Sequence, residues 1–420
     1  MRSWLQLSAA FAIFLSFSAA AQQNAPSLPA LGQSPGSAPG QPQPTLAPRS
    51  HDDRERAYQA RQRVILNVRV TDAAGKPAEG LSQSDFSLLD DRRPAKIEAF
   101  RQAAGEAVRE HVHVLLVLDA VNSTFRGIAV QRKEVEKYLT QNRGKLPYPI
   151  SLVLVSASGL IIDPPSQDAD VLLGELSQLT QAVRVMDCSK RDNPSADDAS
   201  SGTITPINRS DSFNSLNAID GAESGGGTAA QVRAADCKID QFVVSMGALN
   251  RLVKAQVDQP GRAIVIWTGP GWPLLSGPGF NPDTSAMRRG RFDQLVNLSA
   301  YMQQAQVTLD AVLSPDQSGR AELVSQASVA AAPPAAGEAG PANFTLPILA
   351  RQTGGRVFES GKDLAGAIAA SIADGDSYYV VSFDAAAVPA AEPGEYHPLE
   401  IKVDKPGLTV RTNFAYFARP

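Results

Sequence analysis

Residues 63–72 (RVILNVRVTD) alternate apolar and polar, with Val64, Leu66, Val68 and Val70 on one side, the pattern of a half-buried strand. Turn residues follow at 73–77 (AAGKP), and the runs 86–91 (FSLLDD) and 96–101 (KIEAFR) continue the β pattern. Three short strands with one apolar face do not close a core alone. The far end of the chain has the same character. Residues 378–384 (YYVVSFD), 399–404 (LEIKVD) and 408–416 (LTVRTNFAY) read as strands, with Lys405, Pro406 and Gly407 as a tight turn between the last two. The two sets are predicted to form one small β-sandwich, with the middle of the chain inserted in it.

The middle has a different rhythm. Residues 112–118 (VHVLLVL), 150–155 (ISLVLV), 262–267 (RAIVIW) and 307–313 (VTLDAVL) are near-continuous aliphatic runs, as in strands covered on both faces. Helical patterns lie between and after them at 126–142, 169–180, 243–257, 291–304 and 364–373. Alternating strands and helices predict an α/β fold, a doubly wound, mostly parallel sheet with right-handed crossovers. Ligands of such sheets gather beyond the carboxyl ends of the strands, so the residues after each aliphatic run are the place to look for function. Residues 189–230, rich in Ser, Asp, Asn and Gly, and 327–343, nearly all Ala, Pro and Gly, break the rhythm and read as long loops.

The first residues change the compartment. Arg2, the apolar run 5–17 and the small residues Ser18, Ala19, Ala20 and Ala21 have the order of a cleavable signal peptide, 1–21. The run is too short to cross a bilayer of about 30 Å, so no membrane anchor is expected. A Pro, Gly, Gln and Ser-rich linker follows at 22–58. The boundaries expected beyond it are 59–105 and 378–420 for the two parts of the sandwich and 106–377 for the α/β domain, with an insertion at 183–235. A net charge of −4 in mixed signs supplies no basic footprint, so no nucleic-acid partner is expected. The two cysteines, Cys188 and Cys237, are most simply one disulfide in an oxidising compartment, secreted or periplasmic.

The first aliphatic run of the middle ends in Asp119, Ala120, Val121, Asn122 and Ser123. A carboxylate at a strand tip with a hydroxyl four residues on is one way to begin a site for a hard divalent cation. Here the chain resembles the von Willebrand factor type A family, and more closely its bacterial branch of VWFA-related domains, abundant in Acidobacteria. The segments that carry the resemblance are 68–100, LVLDAVNS (116–123), PGRAIVIWTGPGWP (260–273), LARQTGGRVFES (349–360), DGDSYYVVSFD (374–384) and 396–411. In that family a metal-ion-dependent adhesion site takes D-x-S-x-S from the first strand end, a Thr from a later loop and a second Asp from a later strand end. Carried over, the metal site is Asp119, Ser123 and Thr228, and Mg²⁺ is the implied ion. The site is degenerate: Val121 stands at the first Ser, and Gly269 stands at the second Asp. Asn122 and Thr124 are further neutral oxygen donors, and with Thr268 and Trp272 they make the candidate binding face; Trp267 is a further candidate for a contact surface. Asp119 as a plain helix N-cap is the structural alternative.

Catalytic patterns are absent from the sequence: there is no G-x-S-x-G, no Walker loop and no H-E-x-x-H. His111 and His113 share one side of a predicted strand, but two ligands without a third make a weak metal pair. The expectation is therefore a non-enzymatic module that binds a protein or glycan partner outside the cytoplasm. The alternative is an envelope scaffold whose domain is purely structural and metal-free.

Overall fold

A computed structural model describes residues 63–105, 112–186, 188, 229–271, 285–314, 346–359, 363–385 and 394–418. The signal peptide and linker lie outside the described residues, as do His111, the loop 327–343, and the candidate site residues Thr228 and Trp272. In chain order the structure opens with β1 (Arg63–Thr71), β2 (Phe86–Asp90), β3 (Arg93–Pro94) and β4 (Ile97–Ala104). The middle holds β5 (Val112–Asp119), α1 (Phe125–Gln141), β6 (Lys145–Ser156), β7 (Gly159–Ile162), β8 (Ser166–Asp168), α2 (Ala169–Gln181) and α3 (Ala229–Gln256). It continues with β9 (Arg262–Gly269), α4 (Ser285–Gln304), β10 (Val307–Leu313), α5 (Leu346–Gln352), β11 (Val357–Glu359) and α6 (Leu364–Ala373). The last strands are β12 (Ser377–Asp384), β13 (Tyr396–Val403), β14 (Thr409–Arg411) and β15 (Ala415–Phe417).

The aliphatic runs form one central sheet in the order β11-β10-β9-β5-β6-β7. It is parallel from β11 to β6, and β7 closes the edge antiparallel. Alternate residues feed two cores. Leu115, Val117, Val265, Trp267 and Leu309 pack on one face with α3, α4 and α5; Val114, Leu116, Leu152, Ile264 and Ile266 pack on the other with α1, α2 and α6. Burial on both faces is why these runs carry so few polar residues. Counted along the chain, the sheet order reverses between β5 and β9. Asp119 closes β5 and Gly269 closes β9, so the candidate site stands at that switch point.

Two antiparallel sheets, β14-β1-β12-β4 and β15-β13-β2-β3, flank this unit, and each pairs strands from both ends of the chain. Leu66, Val68, Val381 and Phe383 of the first sheet share one apolar cluster with Leu88, Leu399, Ile401 and Tyr416 of the second. The single run predicted at 408–416 is two strands: β14 pairs β1 and β15 pairs β13. Alternation is the same against either edge, so periodicity does not reveal the crossing. The helix predicted to begin at 243 begins at Ala229, inside the segment read as loop and insertion, and carries Cys237. That residue is joined to Cys188 in a disulfide.

A charged seam links the first antiparallel sheet to the α/β unit. Asp374, at the end of α6, is 3.0 Å from Arg69 Nε of β1 and 2.9 Å from an Arg356 terminal nitrogen, and it also pairs with Arg411 of β14. Arg262 lies over the Tyr378 ring, 4.7 Å from its centre, and donates to Thr308 Oγ1 at 3.1 Å.

Candidate functional site

β5 delivers Asp119 to the sheet's switch point with no exposed surface. Its Oδ1 accepts the Asn122 backbone N–H at 3.0 Å. Its Oδ2 accepts the Asn122 side-chain amide at 2.7 Å and the Trp267 indole N–H at 2.9 Å. The Val121 backbone N–H adds a further donor. Burial pushes the carboxyl above its ordinary range, and these N–H groups work against that push.

A second layer holds the first. The Asp119 backbone N–H donates to Gln131 Oε1 at 3.1 Å, and Gln131 Nε2 donates to Ser123 Oγ at 2.6 Å. Thr268 Oγ1 lies 2.7 Å from the Val117 carbonyl and 3.1 Å from Gln131 Oε1, so its hydroxyl ties β9 to β5 and α1. On the other side Asn122 Nδ2 donates to Ser245 Oγ at 2.8 Å, and Ser245 donates to the Gln241 carbonyl within α3. Gln241 Nε2 in turn reaches the Val121 and Met186 carbonyls at 2.8 and 2.7 Å.

Asp119, Asn122, Ser123 and Thr268 therefore converge in one buried network. Thr124 does not join it: its Oγ1 accepts the Gly127 N–H at 3.0 Å as the N-cap of α1, the role the sequence had offered to Asp119. Trp267, read in the sequence as a surface contact, is fully buried, because its position on β9 alternates toward the core and its N–H finds Asp119. Sequence reasoning missed Gln131, Gln241 and Ser245. Their signal was available as polar residues on the buried sides of α1 and α3, positions that demand partners.

The described residues do not fit a hard divalent cation. An ionised carboxylate offers about four acceptor positions, and four N–H donors occupy them: the Val121 and Asn122 backbones, the Asn122 amide and the Trp267 indole. Gly269, where the resemblance would call for a second Asp, has φ +151, and a Cβ there would stand 3.0 Å from Asp119 Cβ. Among the described residues no three His, Cys, Asp or Glu side chains gather as metal ligands.

The two described histidines, His113 and His397, have structural surroundings. His113 sits between Gln256 Oε1 at 3.3 Å and Ser151 Oγ at 3.1 Å, and burial lowers its pKa. His397 is buried 3.2 Å from Asp90 Oδ1 and stacks on Tyr416, whose hydroxyl donates to Asp90 Oδ2 at 2.7 Å.

No protein-family model matches this sequence, and no curated protein matches it. Among solved structures, the chain is similar to manganese-loaded Plasmodium vivax TRAP protein, at 10% identity over 77% of this chain and 97% of that one, with a TM-score of 0.30. It is also similar to a von Willebrand factor type A structure from Catenulispora acidiphila, at 9% identity over 85% of this chain and 74% of that one, with a TM-score of 0.28. The architecture stands on the strand order and cores described above.

Proposed function

We propose that this chain is a non-enzymatic interaction module of von Willebrand factor type A kind, carried on a β-sandwich built from its two ends and working outside the cytoplasm. Its strand-end face would meet a protein or glycan partner without a bridging cation. The observation that carries this reading is the saturation of Asp119 by N–H donors of its own chain, with the Trp267 indole among them. A carboxylate held this way is a structural keystone rather than an open ligand. The Cys188–Cys237 disulfide supports an oxidising compartment. Among the described residues no helix is long and apolar enough to cross a membrane.

A purely structural scaffold is the second reading, favoured by the depth of the Asp119 network, since that network exposes no side chain of its own for recognition except part of Asn122. Calorimetric titration of the full chain with Mg²⁺, Mn²⁺ and Ca²⁺ tests the cation-free claim: no saturable heat is expected, and chelator should leave the melting temperature unchanged. Saturable binding that disappears in Asp119→Ala would overturn it. Recovery of a partner from envelope or culture fractions, dependent on the strand-end loops, would separate module from scaffold.

A further inference from the structure

The seam between α3 and α4, on one face of the central sheet, holds a pocket of about 170 Å³. Met246, Asn250 and Lys254 line it from α3 at four-residue spacing, and Gln294, Leu298 and Tyr301 line it from α4 at spacings of four and three, so each helix turns one face to it. Met246 and Leu298 are buried and make its apolar floor. Asn250, Gln294 and, from the exposed side of α4, Asn297 bring three carboxamides to it.

One of those carboxamides lacks a partner. Gln294 is 7% exposed, and its Nε2 is buried with no hydrogen-bond partner among the described residues. Buried amide donors are nearly always paired, because an unpaired one has given up its hydration for nothing. The side chain lines the pocket, so the pocket is where an acceptor can reach it. A carboxamide presents a donor and an acceptor side by side. Three of them around one small space match a ligand whose hydroxyls both donate and accept, and whose carbon skeleton rests on Met246 and Leu298. Acidic side chains are absent from the lining, and Lys254 is taken up by the Tyr301 ring, 4.9 Å from its centre, which leaves the amides as the recognition groups. The volume falls below the roughly 300 Å³ at which pockets for drug-sized ligands begin, and suits a single six-membered ring.

We propose that the pocket between α3 and α4 binds one neutral sugar ring, a hexose or N-acetylhexosamine at the end of a glycan. Gln294 Nε2 donates to a ring hydroxyl, and Asn250 and Asn297 take the neighbouring hydroxyls. This rests on the interaction-module reading and names a glycan as the partner for this surface. It needs neither a cation nor the Asp119 carboxylate.

Saturation-transfer NMR on the full chain in chelator, with glucose, galactose, mannose and N-acetylglucosamine as free ligands, is the test. At least one of these sugars should bind saturably. Gln294→Met removes the amide and keeps an unbranched side chain. It should weaken that sugar about tenfold or more and leave the melting temperature at or above the parent's, because an unpaired buried donor goes with it. Asn297→Trp, a plug at an exposed lining position, should weaken the sugar as much with the melting temperature unchanged. A sugar that binds both variants as tightly as the parent would overturn the pocket and leave the module reading standing. If none of the four binds, water is the partner of Gln294 and the sugar site is overturned, while the module reading still stands on its protein partner and the strand-end test above. Peptides selected from a random library that lose binding in Gln294→Met would overturn the sugar in favour of a peptide. Sugar binding that requires Ca²⁺ and Asp119 would overturn this pocket and the cation-free reading together.

Discussion

Asp119 and Trp267 are 148 positions apart in the chain, yet each resolves the other's difficulty. A buried carboxylate needs donors and a buried indole N–H needs an acceptor; leaving either alone costs more than their bond returns. Trp267→Phe keeps an aromatic ring in the core but leaves Asp119 Oδ2 one donor short. The variant is expected to lose about 1–3 kcal/mol of stability, read from urea unfolding followed by circular dichroism. Stability equal to the parent would mean that the indole bond contributes nothing. Asp119 itself was legible in the sequence as a strand-tip carboxylate. Its partner was not, because Trp267 sits inside an aliphatic run and only strand register brings β9 beside β5, pairing Val117 with Trp267.

At the scale of elements, two carboxylates, Asp310 and Asp374, are buried at the junction of β10, β11 and α6. Asp310 of β10 is 1% exposed; its Oδ1 accepts the Arg356 backbone N–H at 2.7 Å, and the Ser371 side chain of α6 is a further hydrogen-bond partner of the carboxyl. Burial first, and the Asp374 charge second, raise its pKa above the ordinary 3.8. A carboxyl raised on folding contributes stability that is whole below 3.8 and is lost as pH climbs through the raised value. Asp310→Asn cannot titrate and keeps an oxygen for the Arg356 N–H. The variant should therefore gain on the parent as pH rises from about 4 toward 8, measured as unfolding free energy in a pH series. A difference that stays flat with pH would show that Asp310 does not titrate in this window. The sequence marked 307–313 as a strand but gave no hint of this site, since its charges arrive from Arg69 of β1, Arg262 of β9, Arg411 of β14 and Arg356 just before β11.

At the scale of the whole molecule, the Cys188–Cys237 bridge closes a span of 49 residues between the segment after α2 and α3. A loop of that length restricts the unfolded chain by ~4 kcal/mol in the chain-entropy account. Cys188→Ser with Cys237→Ser should lower the unfolding free energy by about that amount, and the melting temperature with it. An unchanged midpoint in denaturant would locate the loop's stability elsewhere. Met186, two residues before Cys188, is held by Gln241, which also holds the Val121 carbonyl beside Asp119. Loosening the bridge should therefore reach the strand-end network as well.

By itself the sequence determined the class of the strongly patterned segments: alternating runs at both ends, double-sided aliphatic runs in the middle, a cysteine pair and a carboxylate at a strand tip. Those are local properties, set by which faces each residue run must bury. Tertiary structure alone decided that the run at 408–416 serves two sheets, that α3 begins at Ala229, and that the strand-tip carboxylate faces N–H donors. Each of these depends on register and on contacts between residues far apart in the chain, and hydrophobic periodicity carries no record of which distant partner a buried polar group will find.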